Sequence, residues 1–309
     1  MRVAFLIAAL LLATGASAQA QPASPEVSLW QGKRALADIE KQLSFGVRAL
    51  DSSGHERTID YIEGEMRALG LGPSEQRWTA SVGGPTHTLV NIVVPFAPAN
   101  ARRLILGTHY DSIIRAYRDK EHPDAPMPGA NNSASGVALL LETARALTAA
   151  KAPPPYGIDF VFFDGEEGPV SLGAGDPRWQ PLGSPYFVRH LTDFYPTEKP
   201  EKAVIFDMVC GRDEKLKPEQ ASLVAASDEV KKFWTIGRTF APAFFSAEVT
   251  GSPIFDDQIA LADAKIPSFL VIGFEYEPWF NTTQDTLDKC SEQAMDAVGR
   301  TLFRYIYLP

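Results

Sequence analysis

Four short segments carry the side chains able to do chemistry: His109-Tyr110-Asp111, Asp164-Gly165-Glu166-Glu167, Asp207, and the loop Trp279-Phe280-Asn281-Thr282-Thr283-Gln284-Asp285-Thr286. Each follows an apolar run with strand character. A single histidine or acidic pair in a loop is ordinary surface. Gathered in one place, one imidazole and several carboxylates repel at high cost unless a cation offsets them. Zinc is the simplest such cation, because it takes histidine nitrogen and carboxylate oxygen and leaves a position open.

The elements that must position these groups alternate along the chain. Leu89 to Val94, Leu104 to Leu106, Ile158 to Phe163, Ala203 to Phe206 and Pro267 to Ile272 are β-rich runs, and only Asp159 interrupts the third. Between them, Ile59 to Leu69, Ser135 to Ala150 and Val230 to Phe240 keep apolar residues at helical spacing, with Gly70 a C-cap for the first. Ser291 caps a last helix through Met295, Val298, Leu302 and Ile306. Strands alternating with helices predict an α/β three-layer sandwich, a mostly parallel central sheet with helices on both faces. Ligands in such sheets bind beyond the carboxyl ends of the strands, where the four segments lie.

Residues 1–20 read as an export signal: Arg2, the apolar run Val3 to Leu12, then small residues before Ala18 or Ala20. The run is too short to span a bilayer, and no later segment approaches the roughly 20 apolar residues a membrane helix needs. A soluble periplasmic or secreted protein follows, with residues 21–309 as one domain because no linker interrupts them. The net charge of -9 argues against nucleic acid and anionic membranes as partners. Cys210 and Cys290 are the only cysteines; a disulfide and two buried free thiols both remain open.

The order of motifs resembles the co-catalytic zinc aminopeptidases and the glutaminyl-peptide cyclotransferases of the same fold. It runs His109-x-Asp111, Pro128-Gly129-Ala130-Asn131-Asn132-Ser133-Ala134-Ser135-Gly136, Phe162 to Glu167, Phe206-Asp207-Met208-Val209, and Thr282 to Thr286. Leu182 to Phe187 and Ser252 to Asp257 look like the cyclotransferase branch. The resemblance covers residues 45–308 and implies one or two zinc ions, with His109 and Glu167 on one and Asp207 on the other. It implies Asp111 as the carboxylate orienting His109 and Glu166 as the general base. Peptide or protein amino termini would be the partners, and Trp179, Phe255, Tyr276 and Trp279 the substrate-pocket walls.

Two positions depart from the family pattern. Where it places a metal-binding carboxylate stands Asn132, and where it places a second imidazole stands Asn281; the acidic-acidic-His run is Asp256-Asp257-Gln258. A neutral amide cannot bridge two divalent ions as a carboxylate does. The five histidines lie at 55, 87, 109, 122 and 190, so none follows His190; His122 and Asp285 are the candidate substitute ligands. Two readings result: a secreted peptidase or glutaminyl cyclotransferase with a weakened metal site, or a non-catalytic descendant that binds peptides. Without metal, at least one carboxyl of the cluster should hold a proton near neutral pH.

Overall fold

The computed structural model describes residues 26–81, 84–168 and 179–308; the expected export signal lies outside them. Seven α-helices and six strands are described: α1 Gly32–Leu43, α2 Ser53–Ala68, β1 Ser74–Ser81, β2 Thr86–Phe96, β3 Arg103–His109, α3 Ala134–Ala149, β4 Gly157–Phe163, α4 Gly183–Arg189, β5 Lys202–Asp207, α5 Gln220–Phe240, α6 Asp257–Asp263, β6 Ser268–Ile272 and α7 Glu292–Ile306. The sheet order is β1-β2-β4-β3-β5-β6. From β4 to β6 the neighbours are parallel, while β2 pairs antiparallel with both β1 and β4. The fold is the mostly parallel α/β sandwich, with an antiparallel margin on one side.

Period-two alternation divides the strand side chains between two cores. Ile158, Phe160 and Phe162 of β4, with Leu104, Leu106, Val204 and Phe206, pack against α1, α2, α3, α5 and α7. Val161 and Phe163, with Ile105, Ile205 and Leu270, pack against Phe187 of α4 and Leu261 of α6. Asp159 falls on the second face, where its carboxylate is buried with Arg103 and accepts from the Tyr195 hydroxyl at 2.7 Å. A paired, hydrogen-bonded carboxylate is tolerable there; an isolated one is not.

Helix α3 is apolar around most of its circumference, as suits a helix buried between layers. Its first turn lies almost on the strand ends: a Cβ at Gly136 would fall 2.0 Å from Thr108 Oγ1 and 3.0 Å from the Phe206 carbonyl oxygen. Glycine is therefore required, and this close approach carries the preceding segment, with Asn132, to the carboxyl edge of β3 and β5. Ser291 caps α7 by accepting from the Ala294 amide at 3.0 Å. Cys210 and Cys290 are joined in a disulfide.

Candidate active site at the carboxyl edge

β3, β4 and β5 end at one edge of the sheet and deliver His109, the turn to Glu166 and Glu167, and Asp207. The loop after β6 brings Asn281, and the segment before α3 brings Asn132. Asn132, Glu166, Glu167, Asp207 and Asn281 line one cavity of about 850 Å³. His109 and Asp111 are buried behind it: His109 Nε2 lies 3.2 Å from Asp207 Oδ1, and Nδ1 lies 3.4 Å from Asp111 Oδ1. Asp111 makes its shorter bonds elsewhere, accepting from the backbone amides of Glu166 at 3.1 Å and Glu167 at 3.0 Å. It thus fixes the turn that presents both glutamates.

A second buried carboxylate fixes the other wall. Asp285 accepts from the backbone amides of Asn131 at 2.8 Å and Asn132 at 3.0 Å, and from the Tyr276 hydroxyl at 2.9 Å. Arg48, wholly buried, donates to the carbonyls of Pro128 at 2.9 Å and Gly129 at 2.7 Å. Burial lowers the Arg48 pKa to about 10, against the pull of Asp285 and Asp111. On the opposite flank His55 Nε2 meets Asp164 Oδ1 at 2.8 Å, and Asp164 Oδ2 accepts from the Val90 amide at 2.7 Å.

The two asparagines are joined through their side chains. Asn132 Nδ2 donates to Glu167 Oε1 at 2.5 Å and to Asn281 Oδ1 at 3.2 Å, and Asn281 Nδ2 donates to the Tyr117 hydroxyl at 3.3 Å. A carboxylate only accepts, so Glu167 fixes the orientation of the Asn132 amide. Asn281 is in the left-handed backbone region at φ 55°, which asparagine tolerates well.

Burial dominates the electrostatics. It pushes Glu166 and Asp256 well above the usual carboxylate range, opposed by His109 and reinforced by neighbouring carboxylates. Burial also lifts Glu167 and Asp257 to about 7 and Asp285 to about 6. For His109 burial acts downward, but the Asp111 and Asp207 carboxylates win and hold it well above the ordinary imidazole value.

Of the aromatic residues read from the sequence as pocket walls, Trp179 and Phe255 line the cavity, whereas Tyr276 and Trp279 do not. Tyr276 is buried against Asp285 through its hydroxyl, and Trp279 packs on Tyr276 with Lys289 over its ring. Phe274 and Phe280 stand in the lining instead, with Met208, Ile254 and Ile272. His122 is exposed, its loop held by Asp119, which accepts from the His122 and Thr283 amides. His87 and His190 are engaged elsewhere and His55 is bonded to Asp164, so among the described residues no second imidazole is paired with Glu166, Glu167 or Asp207.

The donor set does not fit the zinc centre that the resemblance implies. The Asn132 amide N–H occupies a lone pair of Glu167, and both amides are neutral. Among the described residues no three His, Cys, Asp or Glu side chains are gathered as a metal ion would require.

Sheet order and edge cluster together define an α/β protein of the zinc-exopeptidase and glutaminyl-cyclase type. The match to known proteins agrees: the model of peptidase family M28 covers residues 91–306, and the chain belongs to that family. It is 33% identical over 152 residues to a glutaminyl-peptide cyclotransferase-like protein of Bos taurus, covering 47% of this chain and 37% of the relative. It is 25% identical over 311 residues to leupeptin-inactivating enzyme 1 of Streptomyces exfoliatus, covering 93% of this chain and 60% of that one. The chain therefore spans less than two thirds of either curated relative. Among solved structures it resembles a Zn-dependent exopeptidase from Parabacteroides distasonis, with TM-score 0.83 and 28% identity over 91% of this chain and 99% of that one. A glutaminyl cyclase from Tannerella forsythia has TM-score 0.82 and 31% identity at the same coverages.

Proposed function

We propose that this chain is an exported protein that takes the amino-terminal ends of peptides or proteins into the 850 Å³ cavity. It would act there as a peptidase or glutaminyl cyclotransferase with a weakened metal site. The observation that carries the reading is the placement of Glu166, 7% exposed, in the lining of a cavity whose walls are largely apolar side chains. A carboxyl whose proton affinity burial raises well above the ordinary carboxylate value suits the proton transfer that both reactions need. The apolar walls suit the first side chain of the peptide and exclude water. Family membership and the aminopeptidase and cyclotransferase relatives support the substrate class. The disulfide supports an oxidising compartment, and no helix among the described residues is long and apolar enough to cross a membrane.

A second reading, peptide binding without turnover, is favoured by the Asn132–Glu167 hydrogen bond, which occupies a lone pair that metal chemistry needs. One experiment separates them. The purified chain is assayed for turnover of leucyl-p-nitroanilide and of an N-terminal glutaminyl peptide, and for peptide binding by calorimetry. Turnover identifies the enzyme and its branch; binding without turnover supports the second reading. Neither binding nor turnover sinks both.

A further inference from the structure

Glu214 is a buried carboxyl that the proposed chemistry does not use. It sits after β5 in a turn closed from both ends: its amide donates to the Gly211 carbonyl at 3.2 Å, and its Oε2 accepts from the Gly211 amide at 3.0 Å. The residue is 5% exposed, and Oε1 has no partner. Two glycines shape the seat. A Cβ on Gly211 would fall 2.9 Å from Oε2, and one on Gly273 would overlap both that oxygen and the Met208 carbonyl.

The seat joins two loops of the cavity wall. The Gly273 amide donates to the Met208 carbonyl at 2.9 Å, so the loops after β5 and β6 close over the carboxyl together. Met208 and Phe274, one from each loop, line the cavity. Among the described residues no arginine, lysine or histidine is paired with Glu214. Arg212 donates to the Asp288 and Cys290 carbonyls, Lys215 donates to the Ala243 carbonyl, and Lys217 pairs with Glu248 and Glu275. Asp213 is exposed, and Tyr276, which feels the Glu214 charge from the loop after β6, donates its hydroxyl to Asp285. A neutral carboxyl can be buried in such a seat at modest cost. A carboxylate there would keep one bare oxygen and no counter-charge, so it needs water, and the two loops stand in the way.

We infer that Glu214 is a pH-operated latch on the cavity wall: protonated and seated, it holds the Met208 and Phe274 loops together, and ionised, it draws in water and parts them. The proton passes to solvent, and no covalent bond other than O–H changes. Burial pushes this carboxyl well above its ordinary value, so the latch is closed throughout the usual carboxylate range and opens as pH rises beyond it. The latch does not rest on the function proposed for the cavity.

The test is hydrogen–deuterium exchange of the purified chain between pH 5 and 9, corrected for the intrinsic pH dependence of exchange. Protection of segments 208–214 and 273–280 is expected to fall at least tenfold across the interval, while β3 and β4 change less than threefold. Glu214→Gln keeps the shape but cannot ionise, so both segments should then stay within threefold at every pH. Gly273→Ala is the second variant. Its methyl group takes the place of the carboxyl, so both segments should exchange at pH 5 as fast as the parent's do at pH 9. The contrast between these segments and β3 is read on the unaltered chain, so it does not depend on either variant's folding. Protection that stays constant with pH in the parent overturns the inference. So does an equal loss in β3 and β4, which would mean unfolding of the whole chain. The parent's trend persisting in Glu214→Gln also overturns it and assigns the trend to the cavity carboxyls, which that variant leaves intact.

Discussion

Asn132 Nδ2 stands 2.5 Å from Glu167 Oε1, so an amide hydrogen lies on the carboxylate that the family resemblance assigns to a metal. The same nitrogen reaches Asn281 Oδ1 at 3.2 Å, and Asn281 in turn reaches the Tyr117 hydroxyl. Side-chain hydrogen bonds thus tie together the positions from which ligands would converge on zinc.

Restoring the ligands should restore the metal. Asn132→Asp removes the obstructing donor and adds a charge able to bridge; Asn281→His adds the missing imidazole. The double variant is expected to retain one to two zinc equivalents through gel filtration, read by mass spectrometry. The starting chain and both single variants should retain well under one. Stoichiometric zinc in the starting chain would show that the amide bonds yield to the metal.

Asp285 governs the placement of Asn132. Tyr276→Phe deletes one hydrogen bond to a buried carboxylate and should cost about 1 kcal/mol in urea unfolding. Asp285→Ala strands the Asn131 and Asn132 amides and the Tyr276 hydroxyl together, so a loss of about 3 kcal/mol or more is expected. Equal effects of the two changes would mean that solvent replaces the carboxylate.

Much of this site is legible in the order of the amino acids, for a physical reason. His109, Glu166, Glu167 and Asp207 follow buried strands whose apolar runs are unmistakable, and parallel order forces such ends to one edge. Facing direction is less accessible. Tyr276 and Phe280 are both aromatic residues of one loop, yet a hydroxyl bonded to Asp285 turns the first into the interior while the second lines the cavity. Loop contacts across the chain, such as Tyr117 with Asn281, leave no periodic trace. β1 escapes notice because it is an edge strand, Ser74-Glu75-Gln76-Arg77-Trp78-Thr79-Ala80-Ser81, with mostly exposed polar side chains. α4 is too short for helical spacing to register.

The disulfide closes a loop between residues 80 apart in sequence, which restricts the unfolded chain more than the folded one. Cys210→Ser with Cys290→Ser should lower unfolding stability by about 2 to 5 kcal/mol. The local geometry should persist, because the Ser291 amide donates to the Cys210 carbonyl at 2.9 Å and the Arg212 amide to the Lys289 carbonyl at 2.8 Å. A variant with unchanged urea midpoint would show that these backbone bonds suffice.

Glu214 predicts how stability should vary with pH. Its carboxyl is buried, with Oε2 accepting from the Gly211 amide at 3.0 Å and Oε1 unpartnered. Gly273 packs so near that a Cβ there would fall 2.3 Å from Oε2. Burial pushes this carboxyl well above its ordinary value of 4.5, and only the Gly211 amide opposes it. Below 4.5 both the folded and the unfolded chain hold the proton, so the contribution to stability is complete there. Above 4.5 the unfolded chain releases the proton while the folded one keeps it, so stability falls as pH rises until the folded carboxyl also ionises. The loss from one such group is at most about 1.4 kcal/mol per pH unit. Glu214→Gln removes the titration while keeping shape, so its unfolding free energy should fall less steeply than the parent's between pH 5 and 8, by about 1 kcal/mol or more over the interval. Because an amide adds a constant offset of its own, the difference in slope is the quantity to measure. Parallel curves for parent and variant would mean that Glu214 ionises in the folded protein at its ordinary pH, and the burial argument would fail.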